Sequence, residues 1–239
     1  MNDNNTIILG VIPARGGSKG IKGKNLIPVF GKPLIAYAIE CGKKCPSIDR
    51  LIVSTDSPEI AEISSKYGAE IPFIRPAELA NDTAPMLPVL QHAIIKCEKY
   101  YSKVVEAVIL LDPTGPLRTV EDIENSLEIL RQKECNAIIS GNTAHRNPYF
   151  NMVTLNKGYV VLANPSGKMI GRRQDAPKVF DLNTVVWVYS RKALMEEKAR
   201  IPKRTILYMI PPERAIDIDN EFDLKLLEFQ LQQNILYKK

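Results

Sequence analysis

Between Pro13 and Pro33 the chain carries Arg15, Lys19, Lys22, Lys24 and Lys32 among five glycines, with no Asp or Glu. A short β-branched apolar run, Thr6 to Ile12, leads into this stretch, and Leu34, Ile35, Ala38, Ile39 and Gly42 follow it at helical spacing. The order is therefore strand, basic loop, helix. The same alternation continues downstream. Strands are predicted at Arg50 to Ser54, Glu70 to Phe73, Ala107 to Leu111 and Ala137 to Ser140, with helices at Pro58 to Tyr67, Leu87 to Tyr101 and Val120 to Gln132. Strands that alternate with helices build a mostly parallel sheet covered on both faces, and ligands of such sheets bind beyond the carboxyl ends of the strands, where the basic loop lies.

The rhythm breaks between Asn142 and Asp181, a stretch rich in Asn, Pro, Gly and Arg with short β-like pieces at Met152 to Leu155 and Tyr159 to Leu162. A structureless connection of this length is improbable inside a domain. Residues 142–180 are therefore predicted to form a β-hairpin arm for substrate or subunit contact, while 1–141 and 181–239 form the main α/β domain. The latter part holds strands at Thr184 to Tyr189 and Thr205 to Ile210 and a final amphipathic helix from Glu221 to Leu236.

Composition narrows the function classes. The longest apolar stretches are far below the ~18 residues of a membrane helix, and the polar start, Met1 to Asn5, has no signal-peptide pattern, so a cytoplasmic protein is expected. The four cysteines (Cys41, Cys45, Cys97, Cys135) include no Cys-x-x-Cys, which argues against zinc and disulfide frameworks and for simple buried thiols. His92 and His145 are isolated, so neither a zinc site nor a His-based triad is supported. A net charge of +5 is a weak signal for nucleic acid. Bases concentrated in one Gly-rich loop favour a small polyanion such as a nucleoside triphosphate.

The loop fits neither common phosphate template, because its glycines at 16, 17 and 20 do not make G-x-G-x-x-G, and a Walker loop would need Gly at Ser18 and Ser or Thr at Asn25. Its physics still suits phosphate: Gly16 and its neighbours let backbone N–H groups approach an anion while Arg15, Lys19 and Lys24 supply charge. The plainer alternative is a solvated basic turn. Near the far end of the chain, Asp217 and Asp219 stand one residue apart in an extended-looking run, so both side chains leave one face. Such a pair suits Mg²⁺, which takes one or two carboxylates plus phosphate oxygens. The competing role is capping of the last helix by Asp219 or Asn220.

Five segments together resemble the sialic-acid-type cytidylyltransferases, the CMP-sialic acid synthetase family, in order and over nearly the whole chain. They are Ile12 to Asn25 with Phe30 to Ile35, then Val53-Ser54-Thr55-Asp56, Arg75 to Ala84, Pro113 to Arg118 and Ile216 to Asp219. The resemblance implies a Rossmann-like nucleotidyltransferase sheet, a homodimer built through the arm, and transfer of CMP from CTP to the anomeric hydroxyl of an ulosonic acid with release of pyrophosphate. It places Arg15, Gly16, Ser18, Lys24 and Asn25 on the triphosphate, and Arg75, Asp82, Thr83 and Ala84 on the nucleoside. Asp217 and Asp219 would hold Mg²⁺ or another divalent cation. Asp112, Thr114, Arg173, Gln174 and Asn183 would face the sugar. Lys24, Arg15 and the Asp pair would be the catalytic set.

This chain departs from the family pattern at several points. Pro85 and Met86 replace a usual Ser pair, Asp112 a usual Gln and Gly115 a usual Ser, and Asp181-Leu182-Asn183-Thr184 replaces Arg-x-Asn-Gly. A carboxylate at 112 only accepts hydrogen bonds, which favours a sugar offering N–H or O–H donors and points to the legionaminic branch. The rival readings are a synthetase of the CMP-Kdo type, acting on an eight-carbon acid, and a nucleotide-sugar binding module without turnover. The intact Asp pair argues against the latter.

Overall fold

The computed structural model describes residues 5–17, 20–165 and 170–237, with side chains as far as 233. Ser18 and Lys19 of the basic loop lie outside the described residues. The first strand, β1 (Thr6–Pro13), is buried along nearly its whole length because both of its faces are covered. After the loop come a two-stranded ribbon of β2 (Pro28–Val29) and β3 (Lys32–Pro33), and helix α1 (Leu34–Lys43). Then follow β4 (Arg50–Ser54), α2 (Pro58–Lys66), α3 (Met86–Tyr101), β5 (Val104–Leu110), α4 (Val120–Gln132) and β6 (Ala137–Thr143). An exposed hairpin, β7 (Val153–Asn156) with β8 (Tyr159–Leu162), precedes the long β9 (Phe180–Ser190). The chain closes with β10 (Thr205–Met209) and α5 (Glu221–Tyr237).

Six strands form the central sheet in the order β10-β6-β9-β5-β1-β4. β4, β1 and β5 pair in parallel, as do β10 and β6, while β9 runs antiparallel to both β5 and β6. One face packs against α1, α2 and α4 through Ile35, Ile39, Ile60, Ile123 and Leu127. The other packs against α3 and the turn of helix at Ala193–Glu197 through Leu90, Ile94, Ala193 and Leu194. Among the described residues no helix is long and apolar enough to cross a membrane.

The predicted strand at Glu70 to Phe73 shrinks to a single bridge between Glu70 and Ile52. It lies beyond the edge strand β4, and Pro72 has no N–H to extend a ladder. β9 is longer than the predicted Thr184 to Tyr189, because its first residues pair with the end of β6 (Thr143 with Phe180, Gly141 with Leu182) and carry the chain out into residues 144–179. The four cysteines are free thiols, with Cys45 and Cys97 buried.

Sheet order places the site. From β1 the chain moves to β4 on one side, then returns to β5 on the other, so the connections diverge at the carboxyl end of β1. A crevice opens where connections diverge in this way. The loops after β1, β4 and β5 all face it.

Candidate active site

A cavity of about 430 Å³ sits in that crevice. Its floor begins at Pro13, and Arg15, Gly20, Lys24 and Asn25 form one wall. Asn25 is buried and donates from Nδ2 to the Arg15 carbonyl at 3.1 Å, which ties the two ends of the basic loop together. Gly16 lines no part of the cavity, and its N–H donates to Asp56 Oδ1 at 2.9 Å, so it anchors the loop to the end of β4. Arg15 reaches across to Asp82 Oδ1 at 2.6 Å.

The opposite wall comes from the segment between β4 and α3. Arg75 is 5% exposed; its Nε donates to Ser54 Oγ at 3.0 Å and its Nη2 to the Ser54 carbonyl. Burial brings its guanidinium down to about 10, so it stays a cation at neutral pH. Asp82 and Ala84 line the cavity with Leu79, Asn81 and Met86. Thr83 does not; its N–H and hydroxyl both donate to Asn81 Oδ1, a local turn that shapes the loop.

Asp217 and Asp219 close the far side. The run that carries them alternates, with Ile216 and Ile218 buried and the two carboxylates facing the cavity. The Ile218 N–H donates to the Thr114 carbonyl at 3.0 Å, which pins this run to the loop after β5. Capping of α5 falls to Asn220, whose Oδ1 accepts from the N–H groups of Phe222 and Asp223, while the Asp223 carboxylate returns to the N–H of Asn220. The Asp219 side chain is thereby left for the cavity, where Lys24 Nζ lies 3.3 Å from its Oδ1 and also donates to the Ile218 carbonyl at 2.6 Å.

Burial raises the Asp217 carboxyl, with the Asp112 and Asp219 charges adding to it and the Thr114 and Thr184 hydroxyls opposing it. Its Oδ1 is buried without a hydrogen-bond partner among the described residues. A carboxylate oxygen orphaned beside a second carboxylate is the environment that a cation relieves. Among the described residues no three His, Cys, Asp or Glu side chains gather as a metal cage. The fit is therefore to a hard divalent ion that keeps water or phosphate oxygens as its remaining ligands.

Asp112 and Thr184 stand between this cavity and a second one of about 480 Å³, lined mostly by apolar groups that include Leu87, Leu90, Leu110, Trp187 and Leu194. Asp112, Met86 and Thr184 belong to both walls. Trp187 is fixed by its indole N–H, which donates to the Asn183 carbonyl at 2.6 Å, and Arg200 lies over its ring at 5.4 Å.

Three of the residues read from the sequence as sugar contacts lie elsewhere. Asn183 lines neither cavity; it is 5% exposed, its Oδ1 accepts from Ser140 Oγ at 2.6 Å and from the Val185 N–H, and its Nδ2 donates to Asn142. It fills the irregularity where β6 shifts register against β9, between Ile139 and Gly141. Arg173 and Gln174 sit in a short 3₁₀ turn of the arm, exposed, with Arg173 donating to the His145 carbonyl at 2.6 Å. The apolar cavity left no motif in the sequence, and the continuous apolar run Val185 to Tyr189 of β9 around Trp187 was its one trace.

A family model described as "Cytidylyltransferase" matches residues 9–238, nearly the whole chain. The chain belongs to the cytidylyltransferase family. It is 38% identical over 232 residues to the post-translational flagellin modification protein B of Campylobacter coli, covering 97% of this chain and 98% of that one. It is 37% identical over 232 residues to the CMP-N,N'-diacetyllegionaminic acid synthase of Campylobacter jejuni, with the same coverage of 97% and 98%. Among solved structures, a CMP:2-keto-3-deoxy-manno-octonic acid synthetase complexed with CTP superposes with a TM-score of 0.67 at 18% identity, covering 97% of this chain and all of that one, a likeness of fold. The cytidylyltransferase is accordingly an enzyme of the nucleotidyltransferase class with the mostly parallel α/β sheet that the sequence led one to expect.

Proposed function

We propose that this cytidylyltransferase transfers CMP from CTP to the anomeric hydroxyl of a nine-carbon ulosonic acid of the legionaminic type, releasing pyrophosphate. The observation that carries the reading is the direct junction of two unlike cavities. One is lined by the basic loop, Arg75 and two carboxylates, and the other is apolar and of a size for a sugar bearing acyl groups. The relative named for N,N'-diacetyllegionaminic acid supports the choice of sugar. An eight-carbon acid without acylamino groups would leave the apolar walls of Leu87, Leu90 and Trp187 without partners.

In this reading Arg15, Lys24 and Asn25, with Ser18 beyond the described residues, receive the triphosphate, and Arg75, Asp82 and Ala84 shape the nucleoside side. Asp217 and Asp219 would hold Mg²⁺, which supplies charge neutralisation and alignment of phosphate oxygens when bound. Lys24, already beside Asp219, balances the charge that develops as pyrophosphate leaves. Much of the catalysis is positioning.

The arm supports a homodimer. Val153, Leu155, Tyr159 and Val160 are all more than half exposed on a two-stranded hairpin. Such a hairpin is marginal alone, and an apolar surface of this kind is best covered by a second copy. Arg173 and Gln174 belong to this arm and line neither cavity of their own chain. Four free thiols suit a reducing cytoplasm.

The test is pyrophosphate release with CTP, Mg²⁺ and a panel of ulosonic acids. Preference for the diacylated nine-carbon acid is expected. Preference for the eight-carbon acid, or equal turnover with ATP, would overturn the assignment. Light scattering of native protein and of Leu155→Lys should give a dimer and a monomer.

A further inference from the structure

The proposed reaction needs a group to take the proton from the attacking hydroxyl, and the junction of the two cavities limits the choice. Among the described residues, only Met86, Asp112 and Thr184 border both spaces. A thioether and a neutral hydroxyl are poor proton acceptors, which leaves the carboxylate. We propose that Asp112 is the general base of the reaction; the proposal rests on the functional reading above.

Its geometry fits the task. Asp112 Oδ1 accepts from the N–H of Thr114 at 3.2 Å and from its hydroxyl at 3.0 Å, which fixes the carboxylate plane. Oδ2 carries no hydrogen bond among the described residues. From behind, Arg118 clamps the same junction: its Nη2 donates to the Asp112 carbonyl and, at 3.2 Å, to the Thr184 carbonyl, and its Nε donates to the Val185 carbonyl at 2.7 Å. Gly115 lets this loop lie flat on β9, since a Cβ there would stand 2.8 Å from the Thr184 carbonyl oxygen. The half-buried Asp112 is thus held by its own loop and by β9 on the line between nucleotide and sugar.

The charged groups around Asp112 are the Arg75 and Arg118 guanidiniums and the Asp217 carboxylate. None of these serves as the base. Asp217 borders the nucleotide cavity alone, Asp219 is tied to Lys24, and Asp82 is tied to Arg15. No histidine lines either cavity among the described residues.

The step balances as follows. The O–H bond of the anomeric hydroxyl breaks and its proton passes to Asp112 Oδ2, while the oxygen electron pair forms the bond to the α-phosphorus. The bond from that phosphorus to the bridging oxygen breaks, and pyrophosphate departs with the electron pair. Asp112 later returns its proton to solvent.

The experiment compares native enzyme, Asp112→Ala and Asp112→Asn under saturating CTP and sugar, with and without added formate, and measures Mn²⁺ binding by electron paramagnetic resonance. Loss of a positioned base should lower kcat in both variants by about 10²–10⁴-fold, with Mn²⁺ affinity and the KM for CTP unchanged. Formate should restore part of the turnover in Asp112→Ala, where the space is open, and none in Asp112→Asn, where the amide fills it. A kcat within about threefold of native in either variant overturns the proposal, as does absence of formate rescue in folded Asp112→Ala or parallel loss of Mn²⁺ binding. If Asp112→Ala does not fold, the isosteric Asp112→Asn decides by its kcat. Native enzyme that releases no pyrophosphate with any ulosonic acid would instead sink the functional reading itself.

Discussion

Gly20 of the basic loop lies on the turn that carries the carboxylates, and replacing it by alanine tests whether the two must be in contact. A Cβ built at Gly20 would stand 2.3 Å from the Asp219 carbonyl oxygen, about 1 Å inside the 3.4 Å at which ordinary contact begins. The obstacle is backbone on both sides, so no side chain can swing away. Either the loop or the 217–219 turn must retreat by roughly that distance. The turn is held by the Ile218 N–H on Thr114 and by Asp223, so the loop is the part that should yield, carrying Lys24 away from Asp219. A misplacement of about 1 Å between reacting groups costs up to about 10²-fold in rate, so Gly20→Ala should lose about 10–10²-fold in kcat. Its melting temperature should barely move, because Gly20 is exposed and outside the core. The control is Gly17→Ala in the same loop, whose Cβ meets nothing within 4 Å. Pyrophosphate-release kinetics and thermal melts on both variants decide the matter. Native turnover in Gly20→Ala would refute the argument. Equal damage in both would assign the loss to nucleotide approach instead of to Asp219.

Other expectations follow from the same geometry. Asp217→Asn and Asp219→Asn should each lower kcat at least ~10²-fold and weaken Mn²⁺ binding with the fold intact; near-native turnover at saturating Mg²⁺ would remove that residue from the cation site. Lys24→Ala should lower kcat more than it raises the KM for CTP, whereas a change in KM alone would make Lys24 a ground-state binder. Asn183→Ala should destabilise the protein by about 1–3 kcal/mol, because the Ser140 hydroxyl and the Val185 N–H lose the amide oxygen that they share and Asn142 loses its donor, and a variant of native stability with a raised sugar KM would return Asn183 to substrate contact. Asp122 is buried and bonded bidentately to Arg214, and it forms a capping box with Thr119. Burial pushes its carboxyl up, but Arg214 and Thr119 outweigh that and hold it below the usual 3.8. Its contribution is therefore present above that value and lost as pH falls through the lower, folded one. Asp122→Asn should lower the melting temperature at neutral pH and flatten its fall in acid, and an unchanged acid profile would count against the pair.

Much of the architecture was legible in the order of residues. Arg50–Ser54, Val120–Gln132 and Tyr159–Leu162 are elements whose limits follow from apolar periodicity and flanking caps alone. The basic loop and the Asp pair were legible because their chemistry is local: glycines beside lysines, and two carboxylates one residue apart. Glu70 to Phe73 misled because a β-like run does not reveal that it lies beyond the sheet edge. Asn183 misled because a residue within a motif can serve the strand that carries it; only the register shift between β6 and β9 shows that its amide is consumed in repairing that irregularity. The apolar cavity, and the place of Asp112 on its border with the polar cavity, could be found only in three dimensions. Periodicity reports whether a side chain leaves water; it does not report whether it meets a neighbour or an open space. Met86, Asp112 and Thr184 come from three separate stretches of chain, and what joins them is the sheet order, which sets β9 beside β5 with the first turn of α3 above.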